Sequence, residues 1–404
     1  MAGKVSLPWL ILIAFVLGAV VGAIVGPPIG VIKPAGDLFV RLLKLLVVPL
    51  ILFSVIVGAS AVSPAALGRL TGKMLVFYIG TTAIAVTVAA FWAGLFKPGL
   101  GWGLTITGLK PPTPKPPPSG VELFLSLFTT NIVKDLAEGN ILPIIVFALL
   151  FGISLSLAAE KGKVAREAID GFAEAMYKLT MIVMWYAPIG VFALMAWAVG
   201  TYGTAVLGAF AGLIGLEYFA VFFHAFVIYS IIVFLVARVS PVKFFKGAKE
   251  AMLFAFVTRS SSATLPVTMN CAERMGIKRS VYSYTLPVGA TINMDGTSIY
   301  QVLCAAFIAN IIGAPLTPTQ MGIVITTAIL ASIGTAGVPG AGLIMLAMVL
   351  SAVGLPLEGI ALIAGVDAIL DMSRTCVNVT GDLACTTSIA KTEDALDMEK
   401  IKAL

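Results

Sequence analysis

The sequence predicts an all-α integral membrane protein of about eight transmembrane helices and two re-entrant helical hairpins. Of its 404 residues, 59% are hydrophobic and only 11% are charged, and the mean hydropathy is +1.04. Soluble domains average about 25% charged residues. Many apolar runs reach the length of about 20 residues at which a helix crosses a bilayer. Two later runs are interrupted by Gly, Pro and hydroxyl residues, which predicts segments that enter the bilayer and turn back.

The apolar runs and the residues between them place the elements in chain order. Leu7–Val25 is long enough to span, and no convincing signal-peptide cleavage site follows it, so it is predicted as part of the first transmembrane helix. The fourth span is expected to be broken and to be preceded by irregular structure. The predicted spans are 7–30, 38–66, 73–96, 121–158, 165–199, 205–237, 279–310 and 356–390, and the predicted hairpins are 242–276 and 318–352.

The distribution of basic residues orients these spans. Lys and Arg cluster in the loops on one side, whereas the opposite loops at 200–204 and 312–318 contain neither. The positive-inside rule therefore places the basic loops and both termini in the cytoplasm. The basic residues that disagree are Lys33, Arg41, Lys44, Lys97, Lys110 and Lys115. The Pro-rich stretch 110–119 is expected to form an extended extracellular linker, with a binding motif for a partner domain as the alternative.

Composition argues against several classes of function. The net charge of +6 is not gathered on one soluble face, so no nucleic-acid partner is expected. His224 is the only histidine and is interpreted as a packing or lipid-interface residue, with a proton relay left open. The four cysteines have no metal-ligand spacing and are interpreted as packing residues: Cys271, Cys304, Cys376 and Cys385. An intramembrane hydrolase with a serine nucleophile at 260–262 would lack a suitably placed histidine or lysine base.

The last predicted span carries a polar stripe on an otherwise apolar helix. Its members are Asp371, Arg374, Thr375, Asn378 and Asp382, and their spacing of three and four residues puts them within about 100° of one face. A charged side chain at the bilayer centre costs roughly 2.5–3.5 kcal/mol or more, so such groups are usually paired and functional. Asp367 shares the face and is interpreted as a structural partner.

The last third of the chain looks internally repeated. Residues 258–266 interrupt the first hairpin, and residues 332–340 interrupt the second. Each hairpin precedes a helix with a predicted polar break, at 293–297 in one and at 378–382 in the other. Two corresponding interrupted segments point to a transporter binding site. Helix N-termini at the hairpin tips would suit a carboxylate, and the oxygen-only donors suit alkali or alkaline-earth cations.

These patterns have alternatives when they are taken singly. The hydroxyls of residues 260–262 are also compatible with back-bonding inside a helix. Asn293 and Asp295 are also compatible with a buried structural network. An ion channel would need a continuous polar pore, whereas the polar residues here converge on breaks at mid-membrane.

The motifs Thr258–Pro266, Asn293–Thr297 and Asp371–Asp382 resemble the signatures of the glutamate/aspartate:cation symporters, within the dicarboxylate/amino acid:cation symporter family. The similarity is to archaeal and bacterial sodium-coupled aspartate transporters. It implies a homotrimer of elevator transporters in the prokaryotic plasma membrane, built on inverted repeats, and not an enzyme. The scaffold would comprise approximately 1–70 and 121–204, and the transport part approximately 71–96 and 205–395.

The resemblance also implies a substrate site for aspartate or glutamate. Arg374 would bind the side-chain carboxylate with help from Thr297, and Asp371 would take the amino group. Asn378 and Ser261 would hold the α-carboxylate, and the second hairpin would act as the gate. The residues implied in substrate binding are Arg259, Ser260, Ser261, Thr297, Val338, Gly342, Asp371, Arg374, Thr375 and Asn378.

Three sodium ions per substrate are implied by the same resemblance. The first would use Gly289, Asn293, Asn378 and Asp382; the second would use backbone oxygens of Thr291, Ser332, Ile333 and Thr335; the third would use Tyr78, Thr81, Thr82, Asn293 and Asp295. Met372 and Arg259 match the prokaryotic arrangement, which puts potassium counter-transport in doubt. The alternatives are a proton-coupled symporter of glutamate, aspartate or C4-dicarboxylates, and then a neutral amino acid transporter.

Overall fold

The computed structural model describes residues 7–60, 69–101, 125, 128–335, 337 and 339–404, and within these the protein is all-α. No strand occurs among these residues apart from one isolated bridge between Ile277 and Leu396. The helices are α1 (Leu7–Val25), α2 (Lys33–Ser60), α3 (Arg69–Phe96), α4 (Ile132–Glu138), α5 (Ile141–Leu157), α6 (Lys163–Tyr202), α7 (Ala205–Ala237), α8 (Pro241–Thr258), α9 (Ser261–Arg274), α10 (Arg279–Ile292), α11 (Asp295–Ile311), α12 (Pro318–Gly334), α13 (Ala341–Ala352), α14 (Gly359–Thr392) and α15 (Met398–Ala403).

Several of these helices have the length and apolarity needed to cross a membrane. Four qualify among the described residues, namely Pro27–Val57, Arg69–Phe96, Ala159–Tyr202 and Ala205–Ala237, and the apolar stretch Trp9–Val25 is somewhat shorter. Because water is absent from the bilayer core, backbone groups there must be satisfied within the protein, which helices achieve. The protein is therefore an all-α membrane protein, as the sequence predicts.

The N-terminal half follows the predicted order with shifted boundaries. The span expected at 7–30 ends at Val25, and a 3₁₀ turn at Pro27–Ile32 leads directly into α2. The region expected at 121–158 contains two helices, α4 and α5, because Gly139 ends α4 in a left-handed conformation. The Pro-rich stretch 110–119 lies outside the described residues.

Both predicted hairpins are present. In the first, α8 reverses into α9 at Arg259, which has φ +56°. In the second, α12 begins with a capping box at Thr317, and α13 follows Gly340, which has φ +80°. The first arm of each hairpin starts with a proline, where the missing N–H is not needed. The order of hairpin followed by helix thus occurs twice.

One predicted break is confirmed and the other is wrong. Asn293 and Met294 separate α10 from α11, as expected. The predicted break at 378–382 does not exist, because α14 continues without interruption from Gly359 to Thr392. Gly381, within this predicted break, serves close packing: a Cβ at this position would collide with the hydroxyl of Tyr229.

The long helix α14 lies at the centre of the molecule. From Gly359 to Ala390 every residue is buried except Ile369 and Met372, which are half-buried. It packs against both arms of the first hairpin, against α10, α11 and α13, and against α6 and α7. The helices α1 and α2 pack against α6, and α5 packs against α2. The polar stripe of α14 is therefore enclosed by protein.

The end of α14 is held to the start of α3 by ion pairs. Glu393 accepts hydrogen bonds from Arg69 at 2.6 and 3.0 Å and from Lys73 at 2.7 Å. The Arg69 hydrogen bonds, helped by Lys73, lower the pKa of Glu393 to about 2. These contacts join two helices that both contribute residues to the buried site described next.

Candidate functional site

The tips of the two hairpins meet in the interior of the protein. The backbone carbonyl of Gly337 accepts hydrogen bonds from Ser262 N at 3.1 Å and from Ser260 Oγ at 2.7 Å. A Cβ on Gly337 would lie 2.7 Å from Ala290 O and 2.8 Å from Ser262 Oγ, so only glycine fits. The tip of the second hairpin thus packs between the first hairpin and the end of α10.

A buried arginine stands beside these tips. Arg374 is 1% exposed, and its guanidinium carbon lies 4.1 Å from the ring centre of Tyr300. Its Nη1 donates to Asp367 at 2.8 Å and its Nε donates to Asp371 at 2.9 Å. Its Nη2 is buried and has no hydrogen-bond partner among the described residues. The expectation that Asp367 is a structural partner fits this geometry.

Asp371 links the arginine to both hairpins. Its Oδ1 accepts from Arg374 and from Thr375 Oγ1, the latter at 3.3 Å, and its Oδ2 accepts from the backbone N–H of Gly340 at 3.2 Å. Arg259, from the first hairpin, approaches the same Oδ2 at 4.0 Å, and its Nε has no partner in the described part of the chain. The positive charges of Arg259 and Arg374 therefore balance the negative charges of Asp367 and Asp371. All four side chains are buried.

A small cavity of about 10 Å³ lies among these groups, about the volume of one water molecule. A Cβ on Gly342 would lie 2.9 Å from the guanidinium carbon of Arg374, so the second hairpin approaches the arginine closely. The lining residues are Arg259, Ser261, Met294, Thr297, Thr335, Gly337, Gly342, Asp371, Arg374, Thr375 and Asn378. A ligand larger than a water molecule requires the tips to separate and the ion pairs to rearrange.

Most of the residues predicted to bind substrate are thus brought together. Eight of them line this cavity, and Val338 lies outside the described residues. Ser260 does not line it, because its hydroxyl accepts from Ala263 N as the cap of α9 and donates to Gly337. The alternative of back-bonding hydroxyls at residues 260–262 does not describe Ser260, whose hydroxyl donates to Gly337 O. Thr264, outside that range, does donate to a carbonyl of its own turn, Ser260 O, at 2.7 Å.

The break between α10 and α11 is held by side chains of α14. Asn378 Oδ1 accepts from Gly296 N at 2.8 Å, which caps the start of α11, and its Nδ2 donates to Thr297 at 3.2 Å. Asn293 Nδ2 donates to Asn378 O at 2.7 Å and to Asp382 Oδ1 at 3.0 Å. Asn293 Oδ1 is buried without a partner among the described residues.

These contacts gather the residues expected for the first sodium ion. A Cβ on Gly289 would lie 2.6 Å from Asp382 Oδ1 and would collide with the hydroxyl of Tyr78, so the backbone here is close to the carboxylate. The amide oxygen of Asn293, which has no partner among the described residues, and the carboxylate of Asp382 are hard oxygen donors carried by residues in direct contact. Among the described residues no group of three His, Cys, Asp or Glu side chains is placed to hold a metal ion.

The residues expected for the third sodium ion are partly brought together. Asp295 accepts from Thr82 at 2.6 Å through Oδ1, and from Tyr229 at 2.8 Å and His224 at 3.2 Å through Oδ2. Thr81 donates to the carbonyl of Tyr78 instead of reaching the carboxylate. The three donors satisfy Asp295 within the protein, as the alternative of a buried network anticipates.

The residues expected for the second sodium ion are not joined by side-chain contacts. The hydroxyls of Thr291, Ser332 and Thr335 each donate to a carbonyl within their own helix or its immediate end. Within the described residues no hydrogen bond links Thr291 to Ser332 or Thr335. The backbone of Ile333 belongs to α12. The tip still lies near α10, since Gly337 approaches Ala290.

Sequence reasoning missed the contribution of α7. His224 is fully buried and its ring packs against Tyr229, as expected for a packing residue, so only the lipid-interface interpretation is wrong. Its hydrogen bond to Asp295 was not anticipated. Tyr229, five residues later, contacts the same oxygen of Asp295. On an α-helix, residues five positions apart point about 140° away from each other. The segment His224–Tyr229 is π-helical, however, and its wider turns, closed by hydrogen bonds between residues five apart, bring the two side chains toward one face. A search for isolated polar residues in apolar spans would have found both.

The cysteines behave as expected for packing residues. Cys271, Cys304, Cys376 and Cys385 are all buried and free.

The architecture defines a multi-span helical membrane protein with one buried, charge-balanced site built from two hairpin tips, a broken helix and a continuous central helix. A model of the sodium:dicarboxylate symporter family matches residues 7–392. The chain belongs to this family of transporters.

Relatives agree with this assignment over nearly the whole chain. The chain is 36% identical to the proton/glutamate-aspartate symporter of Escherichia coli (strain K12), across 99% of this chain and 96% of that protein. It is 35% identical to the proton/sodium-glutamate symport protein of Geobacillus stearothermophilus, across 99% and 97%. It is 34% identical to the C4-dicarboxylate transport protein of Brucella anthropi, across 97% and 90%.

The contact between the hairpin tips is testable by hydrogen exchange. Gly337→Val places side-chain atoms against Ala290 O and Ser262 Oγ, so the tips should separate and the Ser262 N–H should lose its acceptor. Hydrogen exchange of the backbone amides at 260–264 should accelerate at least about tenfold. This rate change corresponds to a loss of about 1.4 kcal/mol in the free energy of local opening. Mass spectrometry of the purified protein measures this.

Gly322→Val is the matched control, because a Cβ at Gly322 on the same hairpin meets nothing within 4 Å. Its exchange at 260–264 should equal that of the parent protein. Equal exchange in both variants would show that the tips do not depend on Gly337.

Proposed function

We propose that the protein is a sodium-coupled symporter of acidic amino acids, aspartate or glutamate. The observation that carries this proposal is the buried Arg374–Asp371 pair at the hairpin tips, with Nη2 of Arg374 left without a partner. Guanidinium binds a carboxylate through two parallel hydrogen bonds. The names of relatives include glutamate and aspartate symporters.

Asp371 favours an amino acid over a C4-dicarboxylate. An acidic amino acid presents a carboxylate to Arg374 and an ammonium group to Asp371, so each member of the existing pair gains a partner of opposite charge. A C4-dicarboxylate has no cationic group and would bring a second carboxylate toward Asp371, which is unfavourable in a dry site. The name of one relative specifies C4-dicarboxylates, so this substrate is the second candidate.

Substrate binding would proceed by exchange of partners. The carboxylate of the substrate replaces Asp371 on the Nε edge of Arg374 and engages the unpaired Nη2, while Asp367 stays on Nη1. The released Asp371 then takes the ammonium group. Asp371 also accepts from Gly340 N, so its movement would alter the contact between α14 and the second hairpin, which suits a gate.

Sodium coupling would arise through Asn378. Its carbonyl and amide groups contact Asn293 and Gly296 on the broken helix, and its side chain also lines the substrate cavity. A cation bound between Asn293 Oδ1 and Asp382 would stabilise this arrangement and so raise substrate affinity, and the effect is reciprocal. We further propose second and third sodium ions at the residues named above, on the strength of the family resemblance.

Larger-scale features also remain proposals. The packing of α1 and α2 against α6, and of α5 against α2, fits a scaffold of approximately 1–70 and 121–204. The hairpins, α3, α7, α10, α11 and α14 would form the moving part, approximately 71–96 and 205–395, in an elevator mechanism. A homotrimer in the prokaryotic plasma membrane with cytoplasmic termini follows the resemblance and the positive-inside rule. Because all four native cysteines are buried, single introduced cysteines can report the orientation of the termini.

Removal of Arg374 tests the substrate class. Breaking a buried charge pair costs roughly 2–5 kcal/mol, so Arg374→Ala should weaken aspartate binding by at least about 30-fold. Arg274→Ala, which removes a surface arginine paired with Glu250, should leave the affinity as it was. Isothermal titration with aspartate, glutamate and succinate in sodium buffer gives the affinities. Retained aspartate and glutamate affinity in Arg374→Ala would refute the assignment.

Asp382 tests sodium coupling. Asp382→Asn removes the formal charge next to Asn293 but keeps an oxygen ligand, so the sodium concentration for half-maximal aspartate binding should rise by about tenfold or more. Raising sodium further should restore aspartate affinity. Asp170→Asn, at an exposed position on α6, serves as the control and should follow the parent protein.

Uptake into proteoliposomes provides the decisive measurement. With sodium outside only, the parent protein should accumulate aspartate above its external concentration, which a channel cannot do. If neither aspartate affinity nor aspartate uptake responds to sodium at fixed pH, sodium symport is rejected. Proton-coupled symport is then the remaining interpretation.

A further inference from the structure

A second buried acid lies directly behind the charged cluster. Glu217, on α7, is fully buried, and its Oε2 lies 2.7 Å from Ser373 Oγ. Its Oε1 is buried and has no hydrogen-bond partner among the described residues, and no ion pair joins it to a cationic side chain there. An ionised carboxylate with a single hydrogen bond in such a place is strongly unfavourable, because burial removes the water that would solvate it.

The hydrogen atoms around Ser373 favour a protonated Glu217. Ser373 Oγ lies 2.7 Å from Glu217 Oε2 and 2.9 Å from Leu370 O, yet a hydroxyl has one hydrogen to donate. If Glu217 is ionised, that hydrogen must point to Glu217, and the contact with Leu370 O is lost. If Glu217 is protonated, it donates to Ser373 Oγ, which donates to Leu370 O, and both contacts are made.

The charged surroundings connect Glu217 to the substrate site. From α14, Asp367 and Asp371 repel an ionised Glu217, and Arg374, adjacent to Ser373 in the chain, attracts it. Cys304 faces it from α11, and Tyr218 neighbours it on α7. With Glu217 neutral, Arg259 and Arg374 balance Asp367 and Asp371; with Glu217 ionised, this region carries one excess negative charge.

We propose that Glu217 is a proton-binding site that loads together with the acidic substrate, in addition to sodium. This inference rests on the proposed function, since it concerns the same substrate site. The step is a single proton transfer from solvent to the Glu217 carboxylate, after which the Glu217–Ser373 hydrogen bond reverses direction. No bond to carbon changes and no oxidant or reductant is required.

The coupling follows from charge. Aspartate and glutamate carry a net negative charge, so their binding adds negative charge beside a cluster that is neutral only when Glu217 holds its proton. Proton binding therefore raises substrate affinity, and substrate binding raises proton affinity by the same factor. The test of this coupling spans the range up to about pH 8–9, in which buried glutamates are documented to titrate.

Aspartate affinity as a function of pH tests the proposal. At saturating sodium, the parent protein should lose about tenfold in affinity between about pH 6 and pH 8.5. Glu217→Gln, which resembles a carboxyl group that cannot release its proton, should bind aspartate with an affinity that no longer responds to pH. Glu250→Gln, an exposed glutamate of the first hairpin, is the matched control and should follow the parent protein. A Glu217→Gln variant with the parent pH dependence would overturn the proposal.

A direct count of protons keeps the proposal falsifiable if Glu217→Gln does not fold. A pH indicator in weakly buffered detergent solution with saturating sodium should report proton uptake when aspartate is added to the parent protein near pH 8. Glu217→Gln should show none. Aspartate binding by the parent protein without proton uptake anywhere between about pH 6 and pH 8.5 would overturn this inference alone, and no aspartate binding at all would overturn the proposed function with it.

Discussion

The burial of one guanidinium group governs the organisation of this protein. Arg374 is almost completely enclosed, and an unpaired charge at such a depth would be too unfavourable to keep. Asp371 lies one turn and Asp367 two turns before it on the same helix, so α14 carries its own counter-charges. Glycines at 296 and 342 let α11 and α13 approach the arginine closely. The central position of α14 follows from the need to surround this group with protein.

The irregular backbone of the site is stabilised by the same helix. Non-helical segments at membrane depth leave N–H and C=O groups that lipid cannot satisfy. Asn378 caps the start of α11, Asn293 and Asp382 close the gap after α10, and Asp371 accepts from Gly340 at the second hairpin. The groups that support the fold are thus the groups that would contact substrate and cation. Ligand binding can therefore alter the hairpins without any separate relay.

The site is also closely packed. Gly337 fits between Ser262 and Ala290, and the cavity beside Arg374 holds about one water molecule. Pairing between Arg374 and Asp371 keeps both charges satisfied in this arrangement. An acidic amino acid carries the complementary pair of charges and can replace each internal partner with an external one. In the proposed function, selectivity for a substrate that carries both a carboxylate and an ammonium group and movement of the second hairpin would have one physical origin.

Much of this was determined by the sequence alone. Hydropathy and length predict the spans, Gly, Pro and Ser/Thr runs predict both hairpins, and the three- and four-residue spacing of the stripe in α14 puts its polar groups on one face. These features depend on local pattern, which is why they could be read directly. The break at Asn293 was predicted for the same reason.

Other features were decided only by tertiary structure. Asn378–Asp382 has the composition of a break but stays helical, because Gly381 makes room for Tyr229 and Asn378 satisfies the ends of a different helix. His224 and Tyr229 reach Asp295 through a π-helical segment that an α-helical periodicity does not represent. The proposed role of Glu217 depends on its contact with Ser373, which is 156 positions away in the chain. Such contacts join residues distant in sequence, and no local pattern encodes which buried groups will face each other.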